Sequence, residues 1–177
     1  MYFERNGIVI RNATEKDCEQ LAEWWNDGSV MAHAGFPLGL GITAEEIAEK
    51  ISSDSDASGR RLITEYNGRP IGEANYRNKG DNTAEIGIKI CNASMQNKGL
   101  GRVILSLLIK YLFSHGYDKI ILDTNLNNKR AQHVYELLGF KKLRVNIDSW
   151  TDQLGQKQSS VDYELYKENF NDFSKEA

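Results

Sequence analysis

From Gly99 to His115 the chain carries its longest apolar stripe. Leu100, Val103, Ile104, Leu107, Leu108, Tyr111 and Leu112 recur at helical spacing, and Gly116 stands where such a helix would stop. A helix with so broad an apolar face needs a sheet or another helix to cover it. The segment that follows, Lys119–Thr124, is short and dense in Ile and Leu, as expected of a strand buried on both faces. With Ala84–Cys91 reading as a strand just before the helix, this part of the chain is a strand, a helix and a second strand in succession. That commits it to a sheet with a helix laid across it.

The remaining signals extend that sheet. Strands are predicted at Ile8–Arg11, Leu62–Tyr66, Pro70–Arg77, Phe140–Ile147 and Val161–Tyr166, with an Asn67-Gly68 hairpin turn between the second and third of these. Thr14 can cap a helix that groups Cys18, Leu21, Ala22 and Trp25. Thr43 with Glu46 forms a capping-box pattern ahead of Ile47 and Ile51, and Lys129–Leu138 groups Ala131, Val134, Tyr135 and Leu138. The predicted order is β-α-α-β-β-β-α-β-α-β-β, an α/β (α+β) fold with a mixed central sheet of about seven strands flanked by about four helices. No repeat or linker divides the chain, so one domain is expected over residues 1–177; the polar tail from Lys167 to Ala177 is expected to fray.

Composition excludes several classes of function. Lys plus Arg total 22 against 25 Asp plus Glu, a net charge of −3, which leaves no strongly basic surface for nucleic acid. No apolar run can span a bilayer, and Met1 to Gly7 has no apolar signal region, so no membrane association and a cytoplasmic location are expected. Cys18 and Cys91 form no disulfide framework, and His33, His115 and His133 are too scattered for a metal site. Cys91 has no visible His/Asn partners and reads as a small buried residue.

The chemistry concentrates between Ala84 and Gly101. A strand ends near Cys91, a polar loop follows, and a helix opens at Gly99-Leu100-Gly101, with Lys98 and Arg102 adding positive charge. Free N–H groups at a helix start suit an anion, and glycine lets a ligand approach the backbone; a loop that merely turns the chain accounts for the same residues. Asp123 at the end of the next strand mimics a dinucleotide fingerprint, but Ile104 occupies its third glycine position and the paired βαβ halves are missing. No Gly-Lys-Ser or Gly-Lys-Thr follows the glycines, which excludes a nucleoside-triphosphate loop.

Two motifs carry a family resemblance. Gln96-Asn97-Lys98-Gly99-Leu100-Gly101 resembles the Q/R-x-x-G-x-G/A pyrophosphate loop of the GNAT superfamily of acyl-CoA-dependent N-acetyltransferases. The stretch from Asn128 through Ala131, Tyr135 and Gly139 to Phe140 matches that family's N-x-x-A-x-x-x-Y-x-x-x-G-F signature at every marked position. The sequence looks most like the branch that acetylates ribosomal-protein N-termini, polyamines and aminoglycosides.

The resemblance implies acetyl transfer from acetyl-CoA to a primary amine of a small cationic molecule or a protein N-terminus, directly and without an acyl-enzyme or a metal. It implies a splayed strand whose Ile88, Lys89 and Ile90 backbone pairs with pantetheine, and a pyrophosphate held by Asn97 through Gly101 with Gln96 entering the loop. Asn128 and Ala131 would face the pantetheine arm from the next helix, and Tyr135 would protonate the departing thiolate. A catalytically silent acyl-CoA-binding or regulatory module on the same fold is the alternative, and a possible homodimer through the final hairpin stays open.

The residues support these roles and leave some open. An alkyl amine titrates near ~10.4, so a base must free it at neutral pH, and a phenol near ~10 can donate to a sulfur anion. Tyr135 at helical spacing could equally pack on the sheet. Glu85 stands at the separation from Gln96 at which histone-modifying members carry a glutamate base. Alternation puts Ile86, Ile88 and Ile90 on the core face, and Glu85 on the cleft side or in solvent. Glu73 and ordered water are the other candidates. For the acceptor, Trp24, Trp25, Asp27 and Phe36 in one region and Asp148, Trp150 and Asp152 in another combine aromatics with carboxylates, which suits a cation. Core anchoring by the tryptophans, expected above all of Trp25, and turn formation by the aspartates are the competing readings.

Overall fold

Two apolar cores lie on opposite faces of one sheet, and each draws a different pair of helices. In the computed structural model, described here for residues 1–175, the sheet has eight strands: β1 (Tyr2–Arg5), β2 (Ile8–Asn12), β3 (Gly59–Tyr66), β4 (Arg69–Asn78), β5 (Thr83–Ile90), β6 (Lys119–Asn125), β7 (Lys141–Thr151) and β8 (Lys157–Tyr166). Their spatial order is β1-β2-β3-β4-β5-β6-β8-β7, antiparallel throughout except where β5 meets β6. The helices are α1 (Cys18–Asn26), the single turn α2 (Gly28–Met31), α3 (Ala44–Ser52), α4 (Leu100–Ser114) and α5 (Lys129–Leu137).

The stripe on α4 does what its breadth requires. Leu100, Val103, Ile104, Leu107, Leu108 and Leu112 are buried in a core with Ile8, Leu62, Ile86, Ile120 and Leu122 from the sheet, and Tyr135 and Leu138 join it from the α5 region. On the other face Leu21 and Trp24 of α1 and Ile47 of α3 pack with Ile63 and Cys91. The start of α1 is pinned to β2, because Asp17 accepts from both terminal nitrogens of Arg11 at 2.8 Å and from the Thr14 backbone at 2.8 Å. The capping box expected at Thr43 forms, and Thr14 caps a 3-10 turn ahead of α1 through a box closed by Asp17. Among the described residues no helix is long and apolar enough to cross a membrane.

Three expectations need correcting. An eighth strand, β1, is present because Asn6 and Gly7 both take positive φ (50° and 77°) and turn the chain back onto β2; Phe3 then packs edge-on against Tyr111, centroids 5.2 Å apart. Strand β5 stops at Ile90, and β7 and β8 run further toward their connecting turn than predicted. The tail does not fray over residues 167–175. Phe170 and Phe173 pack on the main core, and Ser174 is fully buried. Glu176 and Ala177 lie outside the described residues.

Candidate functional site

Among the described residues the one parallel strand pair is also the seam with the fewest paired positions. Strands β5 and β6 are in register at Thr83–Lys119, Ala84–Ile120 and Glu85–Ile121 and no further, although β5 continues to Ile90 and β6 to Asn125. Past Glu85 the strands part, and among the described residues no strand pairs with β5 on that side. The gap opens into a cavity of about 980 Å³. Ile88, Lys89 and Ile90 form one wall and Asp123, Thr124 and Asn125 the other; the beginning of α4 and the inner face of α5 close it. Unpaired strand edges with this spacing can take an extended, amide-bearing chain as an additional strand.

The loop between β5 and α4 is held from both walls. Gln96 donates through Nε2 to the Ile90 carbonyl at 2.8 Å and accepts from Nη1 of Arg130 on α5 at 2.9 Å. Asn97 and Gly99 take positive φ (61° and 78°), which swings the chain into α4. Among the described residues no side chain caps that helix, which suits its first N–H groups to an anion. At Gly101 a Cβ would meet only Ile90 Cδ1, at 3.7 Å, so the position is open toward the cavity. Gln96, Asn97, Gly99, Leu100, Gly101 and Arg102 all line the cavity; Lys98 does not, its ammonium lying exposed 4.0 Å from the Met95 sulfur.

Asn128 caps helix α5, its side chain accepting from the Ala131 N–H at 3.2 Å, and both residues line the gap. One turn on, Tyr135 is 6% exposed and packs against the Phe140 and Tyr163 rings, 5.8 and 5.7 Å between centroids. Its hydroxyl makes no hydrogen bond among the described residues. Burial, helped by the charge of Asp123, pushes the phenol up to about 12. Asp123 itself, across the gap, keeps an exposed side chain there; partial desolvation and then the charges of Glu85 and Asp162 raise it above its usual carboxylate value. Glu85 is paired with Lys79 at 3.2 Å and Asp162 with Arg144 at 2.7 Å, whereas Asp123 has no ion pair among the described residues.

This arrangement relocates several predicted residues. Glu85 does not line the cavity, so the glutamate expected as a base reaches the site only through its charge. Glu73 is 4% exposed and lines the cavity; its Oε1 accepts from Trp25 Nε1 at 2.8 Å and from Lys89 Nζ at 2.9 Å. Trp24, expected on the acceptor side, is instead buried in the core under α1, while Trp25 packs partly against that core, as expected, and directs its Nε1 to Glu73. Asp27 is spent on capping α2, accepting from the Ser29 N–H and hydroxyl at 2.7 Å. Asp152 organises the β7–β8 turn by accepting from the Leu154 and Gln156 N–H groups, both at 2.9 Å. Asp148 is exposed in a bulge at φ 48°, and Phe36 lies outside the cavity lining.

Like His33, Trp150 does line the cavity. Its ring packs so closely over Gly35 that any side chain there would clash. Gln153, a residue the sequence did not single out, latches the two acceptor-side regions together: Oε1 accepts from the Leu38 N–H and Nε2 donates to the Gly39 carbonyl, each at 2.9 Å. Asp123 and Arg130 were missed as well. The signal for Asp123 was available, since strict alternation opposes it to the buried Leu122 at the mouth of a parallel strand pair. Cys91 is buried, and its thiol is pushed up to about 12 by burial and then by Glu73, which removes it as a nucleophile.

A family model described as an acetyltransferase (GNAT) domain matches residues 8–141. The chain belongs to the GNAT acetyltransferases. Among its relatives, uncharacterized protein MJ1062 of Methanocaldococcus jannaschii is 29% identical over 142 residues, which are 80% of this chain; the chain spans only 29% of that protein. An aminoglycoside N(6')-acetyltransferase type 1 of Klebsiella pneumoniae is 28% identical over 151 residues, covering 77% of this chain and 75% of that one. Among solved structures, spermidine N-acetyltransferase from Vibrio cholerae in complex with CoA and spermine superposes with a TM-score of 0.82 at 20% identity, over 93% of this chain and 98% of that one. The family and the fold implied by the two motifs are therefore borne out, with one strand more than expected.

Proposed function

We propose that this protein transfers an acetyl group from acetyl-CoA to the primary amine of a small cationic molecule, by direct attack and without an acyl-enzyme. A protein N-terminus presents the same nucleophile. The observation that carries this reading is the parallel pair β5–β6 opening after Glu85 into a gap that holds Tyr135 and ends at the uncapped start of α4. The residues fit the co-substrate: the edge of β5 from Ile88 to Ile90 that faces away from β4, where β6 no longer pairs, suits pantetheine amides, and the α4 N–H groups with Arg102 suit a pyrophosphate that the missing side chain of Gly101 lets approach. When bound, acetyl-CoA supplies a thioester carbonyl for attack.

The chain's own groups then divide the work. With its phenol near 12, Tyr135 stays protonated at neutral pH and donates a hydrogen bond to the sulfur. A thiol titrates near ~8.5, far below this phenol, so Tyr135 stabilises the sulfur anion and does not surrender its proton outright. Asp123, which is less acidic than an ordinary aspartate and has no ion pair among the described residues, attracts the ammonium of the acceptor and accepts the proton of the nitrogen as it attacks the carbonyl and becomes acidic. Glu73, fixed by Trp25 and Lys89, flanks the amine's approach from the α1 side. The names of the aminoglycoside and spermidine relatives agree with a small cationic acceptor.

Release of free CoA thiol across polyamines, aminoglycosides, amino acids and N-terminal peptides, at low and high salt, tests this. Turnover of polycations that weakens with salt is expected, because attraction between partly exposed charges is screened. Selective turnover of neutral or anionic amines with no salt penalty contradicts the cationic acceptor.

A further inference from the structure

The C-terminal segment is bound more tightly than its polar composition requires, and among the described residues its side-chain and backbone anchors lie on α4 and at the end of α5. The Asn171 N–H donates to the Leu138 carbonyl and its side chain to the Leu137 carbonyl, 3.0 Å in each case, at the end of α5. Asp172 accepts from Lys110 of α4 at 3.0 Å, and the Phe173 N–H donates at 3.0 Å to the hydroxyl of Ser106, a fully buried polar residue in the middle of α4. The Phe170 ring meets Phe113 edge-on at 5.9 Å. Gly139 admits this path, since a Cβ there would collide with the Asn169 carbonyl.

The end of this clasp reaches the cavity. The Phe173 ring centroid lies 5.3 Å from the guanidinium carbon of Arg102, and Arg102 sits in the first turn of α4, lining the gap with Gly99 and Gly101. An arginine on a helix start has a long, mobile side chain, and a ring packed against its guanidinium restricts that side chain. We propose that Phe173 is a positioning residue for the co-substrate: the tail holds the Arg102 guanidinium at the phosphate end of the gap, so that a phosphate-bearing thioester is favoured over the same thioester without phosphates. The inference rests on the acetyl-CoA reading above. The tail thereby links the order of the C-terminus to affinity for the anionic half of the ligand.

The test compares acetyl-CoA with acetylpantetheine, which carries the same thioester and amide arm but no phosphates. It is run on the wild type, Phe173→Leu and Phe173→Trp, with calorimetric affinities for CoA and pantetheine measured in parallel. Leucine keeps the apolar packing and removes the ring face; tryptophan keeps the ring face. The ratio of kcat/KM for acetyl-CoA to that for acetylpantetheine is expected to fall about fivefold in Phe173→Leu and to be retained in Phe173→Trp, with the affinity ratio moving in parallel. An unchanged ratio in Phe173→Leu, or equal losses with both thioesters, overturns the proposal. So does a wild type that binds CoA no better than pantetheine. A wild type that binds CoA with the expected preference but transfers nothing contradicts the acetyltransferase reading alone.

Discussion

Asp123 and Tyr135 reach the same gap from opposite faces of the sheet, and the charge of the first adds to burial in holding the second at about 12. One group therefore keeps its proton at neutral pH, and the other, less acidic than an ordinary aspartate, is better able to accept one. A pair whose environments act in this way suits a reaction in which an amine loses a proton while a sulfur anion needs a donor.

Tyr135→Phe removes the donor and nothing else from the gap. Its kcat is expected to fall ~10²-fold or more, while the KM for acetyl-CoA and the melting temperature stay near the wild-type values. In the wild type no activity is lost to Tyr135 ionisation below about pH 10, because its proton is held above the usual phenol value. Steady-state kinetics from pH 6 to about 10 checks both points; wild-type turnover in the variant would return Tyr135 to a packing role.

Asp123→Asn should cost activity and raise stability at the same time. The folded pKa of Asp123 lies above the unfolded value of ~3.9, so the native state binds more protons in that window and stability falls as pH rises through it. The asparagine variant is therefore expected to melt above the wild type at pH 7 and to converge with it near pH 3. The acid limb of wild-type kcat/KM should lie above the ordinary aspartate range and vanish in the variant. A variant less stable than the wild type at pH 7 contradicts the assignment.

Glu73→Gln leaves Lys89 beside the gap without its carboxylate partner, 2.9 Å away in the native chain. A cationic acceptor then meets an uncompensated ammonium, and its KM should rise about tenfold, the scale of a lost charge-assisted hydrogen bond. The KM for acetyl-CoA should change little. Equal changes in both constants would instead show that the Trp25–Glu73–Lys89 contacts serve only stability.

At Gly101 the neighbouring protein leaves room for a side chain, with Ile90 Cδ1 at an ordinary 3.7 Å. Gly101→Val should fold with a melting temperature close to the wild type. Its KM for acetyl-CoA should rise far more than that for the acceptor, because the β-branched side chain occupies the approach to the α4 N–H groups. Parallel increases accompanied by a lower melting temperature would mean misfolding.

What the sequence revealed and what it hid follow from the range of the interactions involved. The β5–loop–α4 unit was legible because its signals are local: alternation, then positive-φ residues, then a helical stripe. Tyr135 and Asn128 were legible through a motif. Trp24 came out buried, against expectation, because adjacent residues on a helix differ by about 100° in direction, and which one is buried more deeply depends on how α3 packs beside α1. Asp123 was passed over because its importance comes from β5 and β6 parting, a property of two strands and not of one. The docked tail was missed because two phenylalanines in a polar stretch carry little weight until Ser106 and Arg102 are seen opposite them.

The most direct measurement is the mass of a polyamine or aminoglycoside after incubation with acetyl-CoA and the protein, with free thiol counted in the same sample. The predicted result is one acetyl group gained per thiol released, abolished in Tyr135→Phe while that variant still binds CoA. Binding of CoA with no acetylated product from any amine, or product formed equally well by Tyr135→Phe, would contradict the proposed function.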